Sequence, residues 1–213
     1  MTISTYATLK DAVLKWLLRA NSDLVVTDTQ LARYIQLCEK EMNRRLKENR
    51  LLFADANLTI AEDTATLALP TNYSQVMSFE HSDDQARGID YVSPPVFASD
   101  HTGRGVGRPD TYTIIGTNMR FAPTPDADYE AYMLYRSTVT ALSDTNTTNV
   151  ILTAHPDLYL YGSLKHAYMQ IKDQKELENV SAMAEAIFTS LEADNVNSLL
   201  PAGTKARPRN PIG

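Results

Sequence analysis

Apolar positions recur three and four apart at both ends of the chain and two apart in its middle. From His155 onward, Leu158, Tyr161, Leu164, Tyr168 and Ile171 fall on one helical face, which Leu160, Ala167 and Met169 widen. Pro156 suits the first helical position, where its missing N–H costs nothing, and Asp157 favours the positive end of the dipole. Gly162 and Ser163 are small enough for another helix to approach closely. A helix apolar over this much of its circumference belongs at the centre of a bundle or is buried from two sides.

Three more amphipathic helices accompany it. The spacing predicts a first helix opening at Thr8, with Asp11 as capping partner, a stripe of Leu9, Val13, Trp16 and Leu17, and an end at Asn21-Ser22-Asp23. A second starts near Thr27 or Asp28 with Gln30 in reach of the cap. Its stripe is Leu31, Ile35, Cys38, Met42 and Leu46, opposite a face holding Arg33, Glu39, Lys40, Glu41, Arg44, Arg45 and Lys47. A last helix follows Asp173, which forms a capping-box pattern with Glu176; Leu177, Val180, Ala184, Ile187 and Leu191 make its stripe.

At Leu51 the pattern changes. Leu58–Ala61 and Thr66–Leu69 read as strands flanking a polar turn at Glu62-Asp63. Further strands are expected over Gln75–Glu80, Arg87–Val92, Asp110–Ile115, Asn118–Ala122 and Tyr129–Arg136. Ser93–Phe97 can hold one helical turn, Ser99–Pro109 is a glycine-rich loop, and Ala141–Asn149 is a polar loop leading back to helix. The expected fold is therefore α+β. The N- and C-terminal helix pairs (1–50 and 150–196) close into a four-helix bundle, an antiparallel β-rich domain is inserted at 51–149, and 197–213 form an extended basic tail.

Composition narrows the function. With 43% hydrophobic and 22% charged residues the chain is ordinary for a globular protein, and no apolar run approaches the ~20 residues of a membrane helix. The N-terminus lacks a signal-peptide pattern, and one cysteine excludes an intrachain disulfide framework and fits a reducing compartment. The net charge of −6 argues against a surface built to grip nucleic acid. That charge is uneven: from Asn197 on there is no Asp or Glu, only Lys205, Arg207 and Arg209, so the tail carries +3 and the remainder −9.

Candidate chemistry is sparse. None of His81, His101, His155 and His166 sits in a metal-binding spacing, and His81-Ser82-Asp83-Asp84 reads as a solvated loop in preference to a cation site. Gly103–Gly107 superficially resembles a phosphate loop, but Pro109 and a strand follow where a helix N-terminus is required. The bland reading is a loop between strands; the sharper one has Arg104 and Arg108 touching a neighbouring subunit or passing DNA. Cys38 lies on an apolar stripe and reads as a structural thiol. No catalytic, metal or cofactor-binding residue is expected.

The landmarks, taken in order, resemble a family of tailed-phage head-to-tail adaptors, the connector or gatekeeper subunits of short-tailed phages. They are Tyr6-Ala7-Thr8-Leu9-Lys10, Arg44-Arg45, Leu69-Pro70-Thr71-Asn72-Tyr73 and Gly107-Arg108-Pro109-Asp110-Thr111-Tyr112. After these come Phe121-Ala122-Pro123-Thr124-Pro125-Asp126, Tyr135, Leu142-Ser143-Asp144, Asn149 and the run His155–Leu164. The resemblance spans roughly residues 5–195.

It implies a structural, non-enzymatic virion protein: a dodecameric homo-oligomeric ring beneath the portal protein, passing double-stranded DNA without sequence recognition toward a downstream tail or nozzle protein. It also implies the phage neck as location, host cytoplasm during assembly, no membrane and no cofactor. Position and charge assign portal binding to Lys205, Arg207 and Arg209. The alternatives are a tail-tube or tail-completion ring elsewhere in the neck, or a tail-associated cell-wall hydrolase.

Overall fold

Two threonines start the first helix, α1 (Tyr6–Ala20). Thr5 Oγ1 accepts from Thr8 N (3.3 Å) while Thr8 Oγ1 accepts from Thr5 N (2.9 Å). This reciprocal cap moves the start forward from the expected Thr8, which is the returning partner of the box and not the cap itself. The second helix, α2 (Asp28–Arg45), begins as predicted, with both halves of a Thr27–Gln30 capping box formed. The computed structural model describes residues 2–20, 22–101 and 103–199, without the side chains of 84–87 and 196–199.

A 3-10 turn (Arg50–Leu52) leads into strands β1 (Phe53–Ile60), β2 (Thr66–Ala68), β3 (Tyr73–His81), β4 (Asp84–Gly88) and β5 (Asp90–Tyr91). A short helix α3 (Pro94–Val96) passes into a π-helical turn, Phe97–His101, so the helical stretch extends into what the sequence reads as loop. Strands β6 (Thr111–Ile115), β7 (Asn118–Ala122) and β8 (Tyr129–Ser137) follow, then helices α4 (Val150–Ala154), α5 (Pro156–Ile171) and α6 (Gln174–Leu199). The chain divides into two units, one formed by its two ends, up to Leu51 and from Val139, the other by Leu52–Thr138.

In the helical unit α5 packs against α1, α2, α4 and α6. Leu158, Tyr159, Leu164, Ala167 and Tyr168 are buried, as are the α1 residues Leu9, Val13 and Leu17 and the whole α2 stripe from Leu31 to Leu46. Each such aliphatic side chain contributes on the order of 2 kcal/mol through burial. Gly162 faces Cys38 so closely that a Cβ there would collide with the sulfur. Met169, expected to widen the apolar face, is exposed instead. On α6 the inward residue is Phe188, with Ile187 only half-buried.

Two helix boundaries also differ from expectation. Asn149 caps a helix the sequence did not predict, α4, by accepting from Leu152 N at Oδ1 (2.8 Å). At α6 only half of the expected capping box forms. Asp173 Oδ1 accepts from Glu176 N (3.2 Å), while Asp173 N donates to Tyr168 O (3.2 Å) and so closes α5. The connection from β8 to α4 joins this unit: Val139 and Leu142 are buried, and Val139 N donates to Asn43 Oδ1 (2.7 Å).

The β unit holds two four-stranded sheets, ordered β1-β8-β3-β4 and β2-β7-β6-β5. Ala131, Met133 and Tyr135 of β8 share one core with Tyr112, Met119 and Phe121 of β6 and β7, joined by Ile60, Phe79 and Ile89. The stretch Arg87–Val92, read as one strand, divides at Ile89. Ile89 N donates to Phe79 O in one sheet, and Asp90 N to Asp110 O toward the other (both 2.9 Å). An isolated parallel bridge joins Val106 to Thr124, and the expected antiparallel arrangement is corrected again where β5 pairs parallel to β6. The helical crossover between them supplies the long connection a parallel pair requires.

Candidate functional site

The two loop arginines singled out from the sequence both carry partners inside the chain. Arg104 forms a bidentate pair with Asp110, Nη1 to Oδ1 at 2.7 Å and Nη2 to Oδ2 at 2.9 Å, and Nη1 also lies 3.3 Å from His101 Nδ1. The hydrogen bond from Arg104 holds the Asp110 carboxyl below its ordinary range. Arg108 reaches Asp83 (Nη2 to Oδ1, 2.6 Å), and its guanidinium lies 5.7 Å from the centre of the Tyr129 ring. The loop is thus tied down by its own charges.

The arginines line different hollows. Arg104 borders a cleft of about 620 Å³ with Phe97, Phe121 and Val106 among its walls, and Arg108 a smaller polar one of about 310 Å³. Arg120, which sequence reasoning missed, lines the larger cleft too and has no ion-pair partner among the described residues. Its signal was the alternation of β7, where it stands exposed between buried Met119 and Phe121. The cleft can receive an anionic group, and the His101 imidazole and the Thr66 and Thr124 side chains stand in its lining beside the arginines.

His81, read as part of a solvated loop, is buried at the end of β3. Its Nε2 donates to Pro109 O (2.7 Å), and its ring meets Tyr129 edge-on at 5.5 Å. Strand pairing with β8 draws it inside, so it anchors the far end of the glycine-rich loop.

In the helical unit the polar chemistry is internal. Glu39, placed by its charge on the solvent face of α2, is 4% exposed. It accepts at Oε1 from Leu142 N (2.8 Å) and from the Tyr159 hydroxyl (3.3 Å), which in turn accepts from Asn149 Nδ2 (2.6 Å). Burial raises the pKa of Glu39 and of Tyr159 alike. These bonds hold α2, the 139–149 connection, α4 and α5 at one point.

A second lock joins α2, α5 and α6. Lys165 Nζ donates to Glu41 Oε1 (2.7 Å), and His166 Nε2 lies 3.2 Å from Glu41 Oε2. Burial alone would raise the Glu41 carboxyl, but the bond and charge of Lys165 outweigh it and lower its pKa. Burial lowers that of His166 despite the neighbouring carboxylate. Arg45 grips Glu185 with Nη1 (2.7 and 2.8 Å), reaches Glu192 with Nη2 (3.2 Å), and stacks 4.0 Å over Phe188.

Cys38 is fully buried, and burial pushes its thiol well above the ordinary range, so it is a packing group at neutral pH. Among the described residues no group of three or more His, Cys, Asp or Glu is arranged to hold a metal ion, and no helix is long and apolar enough to cross a membrane. Lys205, Arg207 and Arg209 lie outside the described residues.

No curated protein matches the chain significantly. Residues 4–210 match the family described as SU10 adaptor protein, a span that takes in both units. The chain belongs to that family, in agreement with the phage head-to-tail adaptor resemblance carried by its ordered landmarks.

Proposed function

We propose that this SU10 adaptor protein is a structural component of a phage neck, a homo-oligomeric ring that docks beneath the portal and carries the DNA channel toward the tail. The observation that carries this reading is the family match over residues 4–210. The helical unit acts as a four-helix bundle, and its internal polar residues serve packing: Glu39, Glu41, Tyr159 and Lys165 bond to one another or to backbone across helices. The β unit reaches the next tail protein. The tail carries Lys205, Arg207 and Arg209 to an acidic groove of the portal, while the acidic remainder of the chain keeps double-stranded DNA sliding without sequence recognition.

The test is location. Gold-labelled or tagged protein in purified virions should appear at the portal vertex, and heads made without it should be tailless. Label farther down the tail, or virions free of the protein, would count against the reading. Removing residues 201–213 should weaken portal binding while leaving the helical circular dichroism unchanged; undiminished binding would reject the role of the tail.

A further inference from the structure

The β1-β8-β3-β4 sheet ends on two unlike edges. β1 is eight residues long, contains no proline, glycine or lysine, and pairs with β8 in unbroken register from Phe53↔Arg136 to Ile60↔Tyr129. Long, regular edges are normally blunted by such residues or by bulges, because their outward N–H and C=O groups template another strand. The remaining edges are short or irregular: β2 has three residues, β5 has two, and β4 meets β3 across a register shift between Glu80 and His81. Among the described residues the only backbone ladder on β1 is the one with β8. Its exposed face is polar, with Asp55, Asn57 and Thr59 alternating with half-buried Ala54, Ala56 and Leu58. What β1 leaves unsatisfied is therefore its backbone edge.

The direction of the strands selects the occupant. All neighbours in this sheet are antiparallel and there are four strands, so β1 and β4 run in opposite directions. A second copy related by a modest rotation keeps its strand directions and presents an antiparallel β4 to β1. We propose that β1 pairs with β4 of a neighbouring copy, joining successive subunits head to tail through a continuous antiparallel sheet. Such a contact is heterologous and propagates until it closes into a ring, whereas twofold β1-to-β1 pairing would stop at a dimer. The inference rests on the ring-forming adaptor reading above and adds how its copies are joined.

Asn57→Cys and Gly88→Cys in one chain test it. Asn57 is exposed, and a Cβ at Gly88 would meet Phe79 O at an ordinary 3.7 Å. Within one copy the two strands lie three spacings apart, about 14 Å, beyond the reach of a short bismaleimide. In virions the double variant should give a covalent ladder and each single variant none, with buried Cys38 silent in the parent. Amides of β1 in the parent protein should also exchange at least tenfold more slowly in virions than in the free chain. Absence of the protein from virions would overturn the adaptor reading itself. Its presence there without a ladder, with dimers from Asn57→Cys alone, or with unchanged β1 exchange, would overturn the strand pairing and leave the adaptor reading standing.

Discussion

Gly162 of α5 stands directly against Cys38 of α2, and the sulfur occupies the space a Cβ at Gly162 would need. The two helices therefore meet backbone to thiol. Cys38 Sγ also points to Leu158 O on α5, at 3.9 Å.

Gly162→Ala should destabilise the protein by about 1–3 kcal/mol through overpacking, although alanine is the better helix former. Cys38→Ala, which leaves a small void, should cost about 1 kcal/mol. In the double variant the losses should not add, because alanine at 38 vacates the space alanine at 162 needs. Urea unfolding of all four proteins gives the coupling, expected at about 1 kcal/mol or more; strict additivity would contradict the contact.

Glu39 is the acceptor on which two elements converge. Glu39→Ala strands the N–H of Leu142 and the hydroxyl of Tyr159, at about 1–3 kcal/mol for each buried donor left without an acceptor. Tyr159→Phe should cost about 1–3 kcal/mol, since it removes both the donor to Glu39 and the acceptor of the Asn149 Nδ2 bond. Because burial raises the Glu39 pKa, the folded state takes up its proton before the unfolded one. The advantage of the parent over Glu39→Gln should therefore grow as pH falls toward 4.5, the unperturbed value. Urea midpoints across that range would show it.

His166 works in the opposite sense. Its pKa in the folded state is lowered by burial, with Glu41, Lys165 and Arg44 as its charged neighbours. The unfolded chain thus binds the proton more readily, and this contribution is complete above 6.5, the unperturbed value, and lost as pH falls below it. As pH falls below 6.5 the parent should lose stability faster than His166→Gln. Parallel slopes for the two would show that burial at His166 is not coupled to folding.

The loop arginines separate fold from assembly. Arg104 and Arg108 make exposed pairs with Asp110 and Asp83, and exposed pairs contribute little to stability. Replacing both by alanine should leave the melting temperature close to that of the parent. If these side chains contact a neighbouring subunit or DNA, incorporation into virions should fall severalfold; full incorporation would remove them from the interface.

The helices were legible because helix signals are local. The Thr27–Gln30 box, the α2 stripe and Pro156 at the first position of α5 each act within a few residues, so periodicity places them without knowledge of the partner. The hairpin of β6 and β7 was equally readable. Its two-residue turn, Gly116-Thr117, demands φ of +64° at Gly116, a cheap conformation only for glycine. The Thr8 cap was misplaced by three residues because either threonine could act as cap, and only the folded N-terminus shows Thr5 in that role.

What a sequence of alternating periods determines by itself is which residues can share a face: hence the α+β class, the four long helices and most of the strands. What only tertiary structure decides is which faces meet and what a polar residue finds when they do. Glu39 looks like a surface carboxylate until the 139–149 connection brings the Leu142 N–H to it, and His81 like a loop histidine until β8 and Pro109 enclose it. Burial of a charge depends on partners a hundred residues away along the chain, and short-range periodicity carries no information about them.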